Sequence, residues 1–313
     1  MRILLAIAHF WDPNGDGKHQ SLRPNPFPRL EALKHQLLCL RRQGEHQSQL
    51  HVADRMVYPA NQALRHEIDI CLVTDGEHTV IEQLEPLYRG LFEEVVTEPP
   101  VGLELGFEAQ AYLGSQVDKK YDFYGYMEDD LLIHDPLFFQ KLVWFQNFMG
   151  QEALLLPQRV ELAQGPHFVD RFYIDGPLPE DHVKPLVDLD GPLVMVAAPG
   201  GDVPFEPPRN PHAGCFFLSH SQLRHWMEQP HWLDRDSSFI SPLESAATLG
   251  ISRSFNLYKP SLSHASWLEI QHWGTSFHSL IAAPQPEVEE ELEDVIEPEG
   301  EVGQDSLAEL HAT

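Results

Sequence analysis

The chain has 313 residues, of which 42% are hydrophobic, so it is long enough to bury one large core. Its 48 acidic residues outnumber its 21 basic residues and give a formal net charge of −27. This balance argues against binding to nucleic acid or to an anionic membrane surface. The sequence has no run of about 18 or more apolar residues, so no transmembrane segment is predicted.

The first 120 residues are predicted to alternate strands with helices. The predicted strands are 1–10, 67–74 and 95–96, and the predicted helices are 29–43, 79–91 and 106–117. We interpret the first apolar run as a buried strand rather than a signal peptide, because it stops at His9. The alternation favours a parallel sheet with helices on its faces. Ligands bind at the carboxyl ends of the strands in such sheets.

The most informative segment is Tyr124-Gly-Tyr-Met-Glu-Asp-Asp130, in which an aromatic strand runs into three carboxylates. Asp135 and Pro136 follow as the predicted N-cap and first residue of another helix. Three adjacent anions cost stability unless a cation or hydrogen-bond donors offset them. Carboxylate oxygens suit Mg²⁺ or Mn²⁺, whereas a solvated acidic turn is the alternative that requires no ligand.

The segment resembles the DxD-type motif of GT-A glycosyltransferases, and the order of elements is similar over most of residues 1–280. The resemblance implies an α/β, GT-A-like fold with one catalytic domain over 1–283. A nucleotide-sugar-binding, Rossmann-like half with a mostly parallel central sheet would cover about 1–135, and an acceptor half about 136–283. It further implies a nucleotide-sugar donor, Mn²⁺ or Mg²⁺, and an acceptor (a sugar, lipid or protein) that the sequence does not specify.

Site residues follow from the same resemblance. Glu128 and Asp130 point to one side of an extended chain. Asp130 is the expected metal ligand, Glu128 is expected near the donor sugar or ribose, and Asp129 is an expected substrate-binding residue. His9 and Asp75 end the first two long strands and are expected to contact the nucleotide, although an aspartate beside a turn glycine is also ordinary turn chemistry.

Three later residues complete the predicted site. Gly214 lies in a segment similar to the family's acceptor-binding strand, although a β-bulge would also explain it. Glu244 occupies the place of the base of inverting enzymes, but Ser241 and Glu244 also match a capping box. His264 is the preferred second metal ligand, with His272 as the alternative, because neutral imidazole binds Mn²⁺.

The remaining features concern the surroundings of this site. Segment 151–209, which is predicted to supply additional strands and loops, matches no part of the resembled family; its Arg159 and Arg171 are expected to form surface ion pairs or to hold an anionic group. Ser219 is predicted to cap a helix that runs to about Glu228. Segment 284–313 is acidic, and its composition predicts a disordered tail. The odd number of cysteines, three, favours buried thiols in a reducing compartment and therefore a cytoplasmic location.

Two other classes of function remain open at this point. A metal-dependent phosphoryl-transfer enzyme, such as a nucleotidyltransferase or a phosphohydrolase, would use the same carboxylates and histidines. A non-catalytic scaffold would instead use its acidic tail to bind a basic partner. The sequence contains no P-loop, GxGxxG or GxSxG motif.

Overall fold

The computed structural model describes residues 1–17, 20–44, 47–164, 169–198 and 201–280. The predicted acidic tail, 284–313, lies outside the described residues. The strands are β1 (Arg2–Ala8), β2 (Ser48–His51), β3 (Met56–Pro59), β4 (Glu67–Thr74), β5 (Glu93–Val96), β6 (Phe123–Glu128), β7 (Leu131–Leu132), β8 (Ala153–Leu155), β9 (Gln158–Gln164), β10 (Val169–Tyr173), β11 (Val194–Ala198), β12 (Gly201–Glu206), β13 (Cys215–Ser219), β14 (Asn256–Pro260) and β15 (Glu269–His272). The α-helices are α1 (Phe27–Arg42), α2 (Pro86–Arg89), α3 (Leu105–Ser115), α4 (Phe138–Met149), α5 (Glu180–Val183), α6 (His220–Met227) and α7 (Pro242–Ser252).

A five-stranded sheet in the order β5-β4-β1-β6-β13 forms the centre of the fold. The first four strands are parallel, and β13 pairs antiparallel to β6. The predicted α/β class with a mostly parallel central sheet is therefore confirmed. The chain leaves β1 towards β4 on one side and later returns to β6 on the other. This change of direction leaves a crevice between the carboxyl ends of β1 and β6, where open α/β sheets bind ligands.

Two four-stranded sheets lie beyond the central sheet, in the orders β10-β9-β15-β7 and β11-β12-β14-β8. The segment 151–209, expected to supply additional strands and loops, contributes β8 to β12 and so enters both sheets. Strand β6 belongs to the central sheet, whereas β7 belongs to the sheet that contains β15. Only Asp129 and Asp130 separate β6 from β7, so the acidic triplet spans the junction between two sheets.

Helix α1 and its C-cap residue, Gln43, fix this junction through buried polar side chains that are spaced seven residues apart. Arg29 donates to the carboxylates of Asp129 and Asp130. Gln36 Nε2 lies 2.6 Å from the backbone oxygen of Glu128, and Gln43 Nε2 lies 3.2 Å from that of Ile133. A spacing of seven returns to nearly the same helix face after two turns, so α1 presents one polar stripe to the acidic segment.

Two predicted helices differ from the structure. The helix expected over 79–91 is only a 3₁₀ turn at Ile81–Gln83 followed by α2, because Glu85 precedes Pro86 and has an extended backbone with ψ of 153°. The helix expected to have Asp135 as its N-cap and Pro136 as its first residue starts at Phe138. Asp135 Oδ1 instead accepts the amide of Leu137 at 2.8 Å in a turn that precedes α4.

Other predictions about single elements are confirmed. Strand β4 has the predicted bounds, and Ser219 forms a capping box with Gln222 at the start of α6. Cys39, Cys71 and Cys215 are buried free thiols. Every helix within the described part of the chain is too short or too polar to cross a lipid bilayer. The hairpin of β2 and β3, whose residues are all exposed, was not predicted from the sequence.

Helix α4 provides a direct test of the core. Phe139 is fully buried and makes edge contacts with Phe138 and Phe217, whereas Phe148 on the same helix is 56% exposed. We expect Phe139→Ala to lower the free energy of unfolding by about 3–5 kcal/mol, because truncation removes burial and leaves a cavity. The matched Phe148→Ala should change it by about 0.5 kcal/mol or less. Equal effects of the two variants in urea unfolding would contradict this description of the core.

Candidate active site

The three consecutive carboxylates of Glu128, Asp129 and Asp130 are all buried at the crevice between β1 and β6. Buried anions are destabilising unless cations or hydrogen-bond donors lie next to them. Each of the three has different neighbours, because β6 ends at Glu128 and the chain then turns into β7. The triplet therefore offers three distinct environments within three residues.

Asp129 is fully engaged by the protein. Its Oδ1 accepts a hydrogen bond from Arg29, and its Oδ2 lies 2.6 Å from His9 Nδ1. The amide of Val80 donates to His9 Nε2 at 3.2 Å, so the imidazole carries its proton on Nδ1 and donates it to Asp129. Burial alone would raise the pKa of Asp129, but Arg29 and the hydrogen bond from His9 outweigh it and lower the pKa. The structure thus brings together the predicted site residues His9 and Asp129, and pairs them with each other.

Asp130 is only partly engaged. Its Oδ2 lies 3.2 Å from Arg29 Nη1 and 3.5 Å from His272 Nε2. Its Oδ1 is buried and has no hydrogen-bond partner among the described residues. A buried carboxylate oxygen without a donor is costly, and it marks a place where a ligand or cation would compensate the charge.

Glu128 has no ion-pair partner that would hold it as an anion among the described residues. Its Oε1 is buried without a hydrogen-bond partner in the same part of the chain and lies 3.6 Å from His212 Nε2. Burial, with the charges of Asp130 and Glu244, raises the pKa of Glu128 to about 8, although Arg159 opposes the shift. Burial and the charge of Arg159 hold the pKa of His212 well below its usual value, so this ring is neutral.

Gly214 packs directly against the carboxylate of Glu128, which leaves no room for a side chain. Its φ is +64°, and a Cβ at this position would lie 2.8 Å from Glu128 Oε2. The backbone oxygen of Gly214 also accepts the amide of Glu128 at 2.9 Å. Glycine is therefore required here by its backbone conformation and by the approach of the Glu128 carboxylate.

A buried network of charges lies beside the acidic triplet. Asp175 accepts hydrogen bonds from Arg159 Nε and from Lys259 Nζ, each at 2.8 Å. All three side chains are buried, so the expectation of a surface ion pair is wrong for Arg159. It holds for Arg171, which is half exposed and paired with Glu269. Arg159 acts on Glu128 through its charge while its hydrogen bonds go to Asp175.

The two candidate histidines occupy different places. His264 is exposed, and its Nδ1 lies 2.9 Å from the hydroxyl of its neighbour Ser263. His272 ends β15, which pairs antiparallel with β7, so His272 lies opposite Leu131 and next to Asp130. The structure therefore brings His272, and not the preferred His264, to the acidic triplet. Burial lowers the pKa of His272, but the charge of Asp130 and a hydrogen bond to Glu161 raise it by more. The net effect is a raised pKa.

Glu244 and Asp75 are positioned differently with respect to this centre. Glu244 lies in the first turn of α7, and its charge contributes to the raised pKa values of Glu128 and Tyr126. Ser241 donates its hydroxyl to the Glu244 carboxylate and makes no side-chain cap to the helix backbone. Asp75 is hydrogen-bonded within its own turn, to the amides of Glu77 and His78 and to His78 Nδ1.

Sequence reasoning missed Arg29, Glu161 and His212 as parts of this centre. Arg29 had a detectable signal, because it begins the polar series with Gln36 and Gln43 inside the apolar stripe of α1. Glu161 and His212 had no comparable signal, since their partners are distant in the sequence. Their positions depend on how β9 and the segment before β13 pack.

Asp130 and His272 could supply part of the ligand set of Mg²⁺ or Mn²⁺, but not all of it. The described residues contain no group of three or more His, Cys, Asp or Glu side chains that could hold a metal ion on its own. Mg²⁺ characteristically binds through one or two carboxylates while substrate phosphates and water supply the other ligands. The orphaned Asp130 Oδ1 and the adjacent His272 Nε2 fit this partial role.

Comparisons with known proteins give only weak similarities. No protein-family model matches the chain, and no curated protein matches its sequence. S. aureus TarS matches 89% of this chain and 38% of its own length, with 9% identity and a TM-score of 0.42. Residues 1–349 of S. aureus TarS in complex with UDP-GlcNAc match 83% of this chain and 56% of their own, with 10% identity and a TM-score of 0.40. Mannose-1-phosphate geranyltransferase from Thermus thermophilus matches 83% and 73%, with 11% identity and a TM-score of 0.38. This chain thus spans less than two thirds of the TarS structures, and similarities at this level identify neither its family nor its function.

The raised pKa of Glu128 predicts a specific dependence of stability on pH. The folded state holds the Glu128 proton up to about pH 8, whereas the unfolded chain releases it near pH 4.5. The stability that this proton contributes is complete below pH 4.5 and is lost as the pH rises towards 8. We therefore expect metal-free wild type to lose stability relative to Glu128→Gln across this interval, by about 1.4 kcal/mol for each pKa unit at most.

Chemical unfolding at a series of pH values measures this difference. The exposed Glu228→Gln serves as the matched control and should run parallel to wild type. A constant difference between wild type and Glu128→Gln over the same interval would show that Glu128 does not titrate as described.

Proposed function

We propose that this chain is a metal-dependent glycosyltransferase that moves a sugar from a nucleotide-sugar donor to an acceptor hydroxyl with inversion. One observation carries the proposal: two buried carboxylate oxygens, Glu128 Oε1 and Asp130 Oδ1, lack partners among the described residues. They lie at the carboxyl end of β6, beside the crevice where α/β folds bind nucleotides. The resemblance of Glu128–Asp130 to a DxD-type motif is consistent with this placement.

Asp130 and His272 are the residues that would hold Mn²⁺ or Mg²⁺ in this reaction. When bound, such an ion would neutralise the negative charge that develops on the leaving diphosphate. Arg29 contributes a permanent positive charge at Asp130 Oδ2 and also pairs with Asp129. The central carboxylate, Asp129, therefore keeps the junction in shape, with His9 as its second partner, rather than binding substrate directly.

Glu128 and Glu244 would act on the sugar and the acceptor. Glu128, protonated near neutral pH, can donate its proton in a hydrogen bond to the donor and accept one at Oε1. Glu244 is half-buried in the first turn of α7, close enough to Glu128 to raise its pKa. In the proposed inverting reaction, Glu244 removes the proton of the acceptor hydroxyl as the sugar–phosphate bond breaks. Gly214 keeps the wall beside Glu128 free of a side chain, and Asp75 and its turn would border the nucleotide.

A ligand screen tests the class of donor. We expect one of the UDP-, GDP-, CMP- or dTDP-linked sugars to raise the melting temperature of the protein only when Mn²⁺ is present. Asp130→Ala should abolish this stabilisation, because it removes the orphaned oxygen. Asp118→Ala, a change in the 3₁₀ turn before the amino end of β6, should retain it. Stabilisation that survives Asp130→Ala would contradict the proposed site, and phosphate release without sugar transfer would favour a phosphohydrolase.

The role of Glu244 requires a separate measurement. With the donor found by the screen, we expect Glu244→Gln to lower kcat by about 10²–10⁴-fold, the usual contribution of general-base catalysis. Donor affinity, measured by calorimetry, should stay within about twofold, because the base acts on the acceptor. Glu82→Gln is the matched control on an exposed position. A parallel loss of donor affinity and turnover would assign Glu244 to donor binding instead.

A further inference from the structure

Glu161 is a fully buried carboxylate that none of the roles above uses. It lies in β9, within the segment that matches no part of the resembled family. Its Oε1 lies 2.9 Å from His272 Nδ1 and 3.1 Å from the amide nitrogen of Phe277. Its Oε2 accepts the amide of His278 at 2.8 Å. A buried charge with three donors is well compensated, and each donor belongs to the chain at or just after β15.

The contact with His272 determines which nitrogen of that ring faces the site. A carboxylate accepts, so Nδ1 must carry the proton that it donates to Glu161. In the neutral ring the lone pair is then on Nε2, which lies 3.5 Å from Asp130 Oδ2. Strands β9 and β15 pair in parallel, with Gln271 opposite Val160, and this register places Glu161 beside His272.

The same carboxylate also fixes the segment that covers His272. Because Glu161 accepts the amides of Phe277 and His278, the chain after β15 folds back onto β9. The ring of Phe277 then makes an edge contact with the His272 ring, with 5.5 Å between the ring centroids. The guanidinium of Arg159 lies over the face of the Phe277 ring, 5.6 Å from its centroid. The same side chain therefore contributes both to the orientation of His272 and to the docking of Phe277 and His278.

We propose that Glu161 is a positioning residue that holds His272 with its proton on Nδ1, so that Nε2 and Asp130 together form a divalent-cation site. The proposal rests on the proposed function only in assigning the cation to the donor diphosphate. Carboxylates that orient a metal-binding histidine fix its tautomer and ring plane, and their loss typically weakens metal affinity about 10- to 100-fold.

The test compares Glu161→Leu, which removes the acceptor for His272 Nδ1, with Glu269→Leu in the full chain. Glu269 lies on the same strand as His272, but it pairs with Arg171 and Tyr173 instead of the site. Long-range ¹H–¹⁵N spectra of histidine-labelled protein, recorded without metal at mildly alkaline pH, report which nitrogen of a neutral imidazole is protonated. A His272→Gln sample assigns the signal. Electron paramagnetic resonance titration with Mn²⁺ alone measures cation affinity.

We expect wild type and Glu269→Leu to have the Nδ1–H form of His272 and the same Mn²⁺ affinity. Glu161→Leu should shift His272 towards the Nε2–H form, because it leaves no acceptor at Nδ1 while Asp130 Oδ2 still lies 3.5 Å from Nε2. Its Mn²⁺ affinity should fall by about 10-fold or more.

The wild-type spectrum keeps the test decisive if Glu161→Leu fails to fold. An Nε2–H form of His272 in wild type would overturn the proposal, as would an unchanged tautomer or unchanged Mn²⁺ affinity in folded Glu161→Leu. Absence of Mn²⁺ binding by wild type would overturn it as well. Neither measurement uses a nucleotide, so a negative nucleotide-sugar screen with the expected Mn²⁺ results would refute the transfer function and leave the role of Glu161 intact.

Discussion

The burial of three consecutive carboxylates at a junction between two sheets is the constraint around which this fold is arranged. Each carboxylate is compensated to a different degree. Asp129 is satisfied by Arg29 and His9, Asp130 keeps one oxygen without a donor among the described residues, and Glu128 keeps one such oxygen and a proton. Such incomplete compensation costs stability, and sites of this kind persist where a ligand supplies what is missing. The uneven pairing thus distinguishes Asp129, whose carboxylate is fully hydrogen-bonded, from Glu128 and Asp130, each of which keeps one oxygen without a partner among the described residues.

The buried cations Arg159 and Lys259 lie near the acidic triplet but do not satisfy its unpaired oxygens, because both are already paired with Asp175. Asp175 accepts hydrogen bonds from both Arg159 and Lys259, and this directs their donors away from Glu128. The positive potential of Arg159 still reaches Glu128 and opposes the rise in its pKa. A charge network that is internally satisfied can therefore lie beside Glu128 and leave its Oε1 without a hydrogen-bond partner among the described residues.

The sequence predicted the parts of this design that depend on local patterns, such as the bounds of β4, the cap at Ser219 and the acidic triplet. It did not predict contacts that depend on packing between distant elements. His264 was favoured because it closely follows a strand in the sequence, whereas the pairing of β15 with β7 and β9 brings His272 to the site. The helix expected over 79–91 was lost to a local rule, since the residue before Pro86 avoids helical geometry.

The three carboxylates also differ in when their partners are synthesised, because the chain is made from its N-terminus. Arg29 and His9 precede Asp129 by 100 and 120 positions, so both partners of the central carboxylate are already present when β6 is made. Arg29 also reaches Asp130, but the other groups around Glu128 and Asp130 arrive only with β9, the segment before β13, α7 and β15, and β15 is the last strand of the described chain. An emerging chain can therefore order its N-terminal sheet early, as chains that fold during translation tend to do. The surroundings of Asp130 are completed only when β15 joins its sheet and brings His272, so a partly made chain carries the acidic triplet without this neighbour.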